Sequence, residues 1–366
     1  MPTKEKILII FILFSLTNLS CENFILGPDP ENNAVNNFDI LWKQFDLYYP
    51  SFQVKNINWD SLYNVYRNKI SIDTPEDSLW LVISEMLYNL DDIHVFMYNR
   101  NNSKLFDASH NFRLREREFE LDLIENIYLQ GSFKTAGNGN FVYKTNLRDS
   151  IGYLYIKSFD MLSSDAQYID KVLSELSNVT TLIIDLRNNR GGTLEIYRYI
   201  ASSFVNKHID YLQEIARNGP HHGDFTSPAL ISIDQRILNQ SFNKKTILLT
   251  NTHSSSASEL FCQLFKYIPN SEQIGDSTAG GLGASTRVFQ LLNGWTYHMP
   301  AALSFTLEGK CLENIGVIPD IYVRNTEFEI DKGYDHIFEF TLDYLSKNHS
   351  IEQIHKDKDV FHNLDF

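Results

Sequence analysis

Two short segments of this chain carry residue types that could do chemistry. The first is Asp185-Leu186-Arg187-Asn188-Asn189-Arg190-Gly191-Gly192, placed after a continuous apolar run and before a helical pattern. Its glycine pair lets the chain turn tightly and leaves backbone N–H groups pointing outward, as an oxyanion site requires. It is not a phosphate loop, because no Gly-Lys-Ser/Thr ending follows. The second is Thr252-His253-Ser254-Ser255-Ser256-Ala257-Ser258-Glu259-Leu260, again between an apolar run and a helical one. A serine at such a turn exposes its hydroxyl, while the helix start supplies N–H donors and a positive dipole to a developing oxyanion. Each segment alone also has a plain structural reading. The first is ordinary strand-to-helix punctuation, and the second a serine-rich N-cap satisfying the first helical N–H groups.

The elements that must position these turns read as an α/β alternation. Ile151–Phe159 is expected as a strand and Ser163–Leu176 as a helix with Ile169, Val172, Leu173 and Leu176 on one face. Thr180–Leu186 and Thr246–Thr250 are continuous apolar strands of the sort buried on both faces. Helices are expected at Leu194–Val205 and Ala257–Tyr267. Upstream, Phe38–Phe45 and Trp59–Tyr66 are aromatic-rich helical segments. A further helix is expected with Thr74 as its cap, Pro75 in its first turn and Leu79, Ile83, Met86, Leu87 and Leu90 at helical spacing. It ends at Asp91-Asp92-Ile93-His94. Residues 99–150 suggest a few strands, and Tyr334–Leu345 a surface helix.

The chain has 366 residues, 32 Lys+Arg against 46 Asp+Glu, and a net charge of −14. With 43% hydrophobic and 13% aromatic residues it can bury a sizeable core, which excludes a disordered protein. The acidic balance argues against a nucleic-acid partner. Three Cys exclude a disulfide framework. Lys4 and Lys6 precede an apolar run, Ile7 to Leu16, too short to span a membrane comfortably and shaped like a secretory signal. Leu19-Ser20-Cys21 resembles the end of a bacterial lipoprotein signal, with Asn18 where a Leu is usual. That resemblance implies lipidation at Cys21 and a tether to a membrane surface in the cell envelope. Cys262 and Cys311 are expected as thiols, with a disulfide between them the minor alternative.

Together and in this order, DLRNNRGG and SSSASE resemble the carboxy-terminal processing (tail-specific) serine peptidases and their tricorn-core and retinoid-binding-protein relatives. Ile151-Gly152-Tyr153-Leu154 with Phe159, Gly275-Asp276-Ser277-Thr278-Ala279-Gly280-Gly281 and Gly316-Val317-Ile318-Pro319-Asp320 extend the resemblance over roughly residues 38–325. It implies an α/β (α+β) fold: a small N-terminal helical subdomain on a ClpP/crotonase-like mixed-sheet core. No segment resembles the PDZ insert of the processing branch. The expected layout is signal peptide 1–20, tether 21–37, helical subdomain 38–93, peptidase core 94–330 and helical tail 331–366.

The resemblance makes Ser256, the middle serine of the SASASE-like segment SSSASE, the nucleophile. The processing branch pairs it with a Lys at the position that is Gly281 here, so that dyad is absent. The tricorn-like branch uses a His in a Leu-x-Asp-Gly-His-Thr-like stretch. Leu90-Asp91-Asp92-Ile93-His94-Val95 matches it, with Ile for Gly and Val for Thr. That branch adds a Glu just before its Gly-Val-x-Pro-Asp motif, a place Glu313 occupies. The logic of such a trio is general. An imidazole with a pKa of ~6.5 takes the hydroxyl proton, and a carboxylate fixes its tautomer and stabilises the imidazolium. Backbone N–H groups of Ala257 and of Gly191 or Gly192 are the expected oxyanion donors. His253, His221 and His222 are rival bases. His221-His222 with Asp224 hint at a metal, yet adjacent His residues seldom share one without further ligands. Neither metal nor cofactor is expected. The implied function is a lipid-anchored serine endopeptidase acting on peptides or proteins. The alternatives are a non-catalytic binding module for peptides or apolar ligands, or an ester- or amide-cleaving hydrolase using the same trio. The oligomeric state cannot be read from the sequence.

Overall fold

The computed structural model describes residues 30–236, 241–282 and 286–347. Cys21 and the expected signal lie outside the described residues. At the centre is a seven-stranded mixed sheet in the order Ile321–Tyr322, Ser271–Gly275, Lys245–Thr250, Thr181–Asp185, Ile151–Ile156, Phe141–Arg148, Lys134–Ala136. The first five strands run parallel and the last two pair antiparallel. The two apolar runs of the sequence are its innermost strands, and strand alternation sends their side chains to opposite cores. Leu154, Leu182, Ile184 and Leu248 face the core formed with helices Tyr168–Glu175, Leu194–Ala201 and Ala257–Phe265. Tyr153, Ile183, Ile247 and Leu249 face a second core with Phe119, Ile124, Ile337 and Phe338.

The helix over residues 336–347 therefore packs on the sheet. It was expected on the surface, but Ile337, Phe338, Thr341 and Leu345 are buried along one side of it. The expected 163–176 helix is split into Ser163–Ala166 and Tyr168–Glu175. The first helix, Ala34–Tyr48, begins inside the expected tether, capped by Asn33 Oδ1 on the Asn36 N–H at 2.9 Å. Pro75 rather than Thr74 occupies the cap of helix Glu76–Tyr88, because the Thr74 hydroxyl is turned back to the Ser71 N–H.

Helices Ala34–Tyr48, Trp59–Arg67 and Glu76–Tyr88 form a third core rich in aromatic residues. It is completed from far along the chain. The strand pair Thr286–Gln290 and Thr296–Pro300 joins Phe96–Tyr98 and Leu105–Asp107 in a four-stranded antiparallel sheet. Leu291, Trp295, Tyr297 and Met299 enter that core, with Trp80 edge-on to Trp295. A smaller sheet, in the order Ala302–Phe305, Ile209–Ala216, Ala229–Ile233, lies alongside. His94 thus leaves the N-terminal helical unit where that unit meets the parallel sheet.

Candidate active site

Both chemistry-bearing turns sit at the carboxyl ends of adjacent parallel strands, Thr181–Asp185 and Lys245–Thr250. Side chains lace them together. Asn251 Oδ1 accepts the Asn188 N–H at 3.0 Å, the Ser254 hydroxyl donates to the Leu186 carbonyl at 2.8 Å, and the Ser255 N–H donates to the Asn189 carbonyl at 3.0 Å. Gly191 has φ +84°, and a Cβ there would lie 2.7 Å from both Ala257 N and Ser255 O. Only glycine permits so close an approach to the serine turn.

Ser256 heads helix Ala257–Phe265 with φ 56° and ψ −123°, a region L-residues rarely occupy. The buried Glu259 carboxylate holds this turn. It accepts the N–H groups of Ser256 (2.9 Å), Gly280 (2.8 Å) and Gly281 (3.0 Å) and the Thr278 hydroxyl (2.7 Å). Burial pushes this carboxyl up, and the four donors pull it back. The Ser256 hydroxyl lies 3.0 Å from His94 Nε2, across 162 positions of sequence. Burial holds the His94 ring below its ordinary pKa; neighbouring Asp92 opposes this and Lys55 adds to it. The imidazole is therefore neutral near pH 7, the form that can accept a proton.

His94 is fixed by its own turn. Asp92 Oδ1 accepts the His94 backbone N–H at 2.9 Å, and Asp92 Oδ2 accepts the Tyr49 hydroxyl at 2.8 Å. Position 281, where the processing branch has its lysine, points into the same space: a Cβ on Gly281 would meet Ile93 Cδ1 at 2.4 Å and His94 Cε1 at 3.8 Å. The imidazole and the isoleucine beside it thus fill the room that a side chain at 281 would need.

Glu313 is buried beside this cluster but makes no hydrogen bond to the His94 ring; its Oε1 pairs with Lys55 Nζ at 3.2 Å. Of the expected oxyanion donors, Gly191 N–H is taken by Asn189 Oδ1 at 2.8 Å. Among the described residues, the N–H groups of Gly192 and Ala257 have no partner. The rival bases lie elsewhere. His253 packs edge-on to Phe112, with burial first and then Arg115 and Arg190 lowering its pKa to about 4. His222 bonds Asp46 at 2.7 Å, and the His221 N–H bonds Asp224. Cys262 and Cys311 are free thiols.

A cleft of about 400 Å³ opens beside the pair, bordered by Ile93, Phe112, Arg115, Gly281, Lys55 and Glu313. Three residues that sequence reasoning left without a role help hold the site: Lys55 borders the cleft, Tyr49 bonds Asp92, and Glu259 holds the Ser256 turn. Lys55 and Tyr49 carried no motif, and Glu259 stood inside the quoted SASE segment with no partner in view.

Fold and site together define a serine–histidine centre at a strand-to-helix turn, closed by a helical unit. Residues 150–323 match the model of peptidase family S41, and residues 30–88 match the tricorn protease C1 domain. Both matches bear out the resemblance carried by the motifs. The carboxy-terminal-processing protease of Bartonella bacilliformis is 27% identical over 196 residues, 52% of this chain and 43% of that one. The carboxy-terminal processing protease CtpB of Bacillus subtilis is 26% identical over 181 residues, 49% of this chain and 35% of that one. This chain thus spans less than half the length of either relative. A candidate peptidase from Parabacteroides merdae superposes with a TM-score of 0.76 at 27% identity, covering 86% of this chain and 97% of that one. Tricorn protease superposes at 0.53 with 18% identity, over 86% of this chain and 37% of that one, a likeness of fold.

Proposed function

We propose that the protein is a serine endopeptidase that uses Ser256 as nucleophile, His94 as general base and acid, and Glu313 as the acid of the triad. The observation that carries this reading is the 3.0 Å contact between Ser256 Oγ and His94 Nε2 at a strained strand-to-helix turn. Ser256 Oγ attacks the peptide carbonyl while its proton passes to His94 Nε2. The N–H groups of Ala257 and Gly192 hold the oxyanion, a contribution of roughly 10²–10³ in rate per donor. His94 then gives the proton to the leaving amine, and the acyl-enzyme is released by water that His94 deprotonates in turn. Glu313 supplies negative charge to the imidazolium. The cleft beside Ile93 and Phe112 receives the peptide.

The chain is held at a membrane surface of the bacterial envelope by lipid on Cys21. The support for that is the basic, apolar and Leu-Ser-Cys pattern of the first 21 residues. Among the described residues no helix is long and apolar enough to cross a membrane.

The test is labelling with a fluorophosphonate, scored beside hydrolysis of a quenched unstructured peptide. Wild type should be labelled and hydrolyse the peptide. Ser256→Ala should lose both, and His94→Gln should lose at least a hundredfold in each. Equal labelling of wild type and Ser256→Ala overturns the assignment.

A further inference from the structure

Lys55 lies in the turn after helix Ala34–Tyr48; the residue is half-buried, with its side chain 6% exposed. A buried ammonium is costly unless oxygen atoms replace its water. Here four do: Asn314 Oδ1 at 2.9 Å, the Asp91 carbonyl at 3.1 Å, Glu313 Oε1 at 3.2 Å and Asp92 Oδ2 at 3.9 Å. Lys55 makes no hydrogen bond to Ser256 or to the His94 ring, although its charge helps lower the His94 pKa. The ion pair does, however, join the N-terminal helical unit to Glu313, which the chain supplies 258 positions later.

The groups that face Glu313 come from several elements. Tyr49 and Lys55 come from the first helix and its turn, Asp92 from the His94 turn, Glu259 from the helix behind Ser256, and Cys311 from its own segment; Asp91 acts on Lys55, and Arg115 borders the same cleft. Lys55 is the cation that bonds Glu313. Burial first, and then the Asp92 charge, push the Glu313 carboxyl up to about 8, while Lys55 pulls it down. The charge count is simple. Once Glu313 is ionised, Lys55, Asp92 and Glu313 sum to −1, and the proton that His94 accepts brings the cluster to zero. Without Lys55, two buried carboxylates face one another, and the one already raised takes a proton.

We infer that Lys55 is a positioning residue: its ion pair favours the charged form of the Glu313 carboxylate, so the charge offered to the imidazolium is strengthened when the N-terminal helices are docked on the sheet. This rests on the triad reading and adds to it a residue from outside the catalytic motifs.

The sign follows from the carboxylate. Its charged form is present above its pKa and lost as pH falls, so removing Lys55 should move the loss to higher pH. The probe is the second-order rate of Ser256 modification by a fluorophosphonate from pH 6 to 10, with circular dichroism confirming that each variant is folded. Wild type should rise with pH to a plateau with an inflection near 8. Lys55→Met should have its inflection at least one unit higher, making it about tenfold slower on the acid limb, with recovery toward wild type at pH 10. Lys55→Arg should keep the wild-type inflection. Glu313→Gln should remove the inflection, and adding Lys55→Met to it should shift nothing further. A Lys55→Met protein that is slow at every pH with an unmoved inflection, or unchanged throughout, overturns the inference. So does a shift that persists in the Glu313→Gln background. Equal labelling of wild type and Ser256→Ala fails the triad reading itself, which the Ser256→Ala arm tells apart from these.

Discussion

Replacing Glu259 by Gln changes one atom of the carboxylate that clamps the nucleophile turn. Three of its four donors are backbone N–H groups, of Ser256, Gly280 and Gly281, and none of these can reverse. The fourth, the Thr278 hydroxyl, can rotate. The amide of Gln therefore settles on the side shared by Thr278 and Gly280, where it meets the Gly280 N–H head-on and strands it. A stranded buried donor costs about 1–3 kcal/mol, and the remaining bonds lose their charge assistance, so we expect about 2–4 kcal/mol of lost stability. The Ser256 N–H should keep its acceptor but bind it more weakly, so the φ 56° turn relaxes and fluorophosphonate labelling should slow at least tenfold. Urea denaturation gives the first quantity and labelling kinetics the second. Glu259→Gln within 0.5 kcal/mol of wild type, with unchanged labelling, would refute the idea that this carboxylate holds the serine in place.

Gly191→Ala should cost about 1–3 kcal/mol, since a Cβ at φ +84° would be driven into Ala257 N and Ser255 O. Its labelling rate should also fall at least tenfold, because the crowded Ala257 N–H is a proposed oxyanion donor; a thermal melt beside a labelling assay checks both. Arg187→Met should destabilise by about 3–5 kcal/mol, because it leaves Asp185 and Asp335 buried without their shared guanidinium. Asp335 also accepts the Phe338 N–H at the start of the last described helix. Hydrogen exchange should therefore show residues 336–347 losing protection first.

Much of the parallel sheet was legible because its cause is local. TTLIIDL and TILLT carry short apolar runs bounded by turn signals, a pattern that fits strands buried on both faces. The turns after them were legible as well, since glycine and serine at a strand-to-helix junction declare their backbone needs within a few residues. The 336–347 helix was misplaced for the opposite reason. Its apolar side resembles that of any amphipathic helix, and only the sheet face bearing Tyr153 and Ile183 decides that it is covered. The strand pair 286–300 gave no sign that its Trp295 and Tyr297 complete a core begun at Ala34.

The candidate site divides along the same line. Residue types and spacing marked the serine and glycine turns, and family resemblance singled out Ser256 and added His94 and Glu313. All of those are statements about short segments, whose preferences are written in adjacent side chains. Tertiary structure alone decided that His94 meets Ser256 at 3.0 Å, that Ile93 occupies the room beside Gly281, and that Glu313 answers to Lys55 rather than bonding the imidazole directly. Charge pairing and steric exclusion act through space, and their partners here lie from 162 to 258 positions apart along the chain. No local preference encodes a contact of that kind.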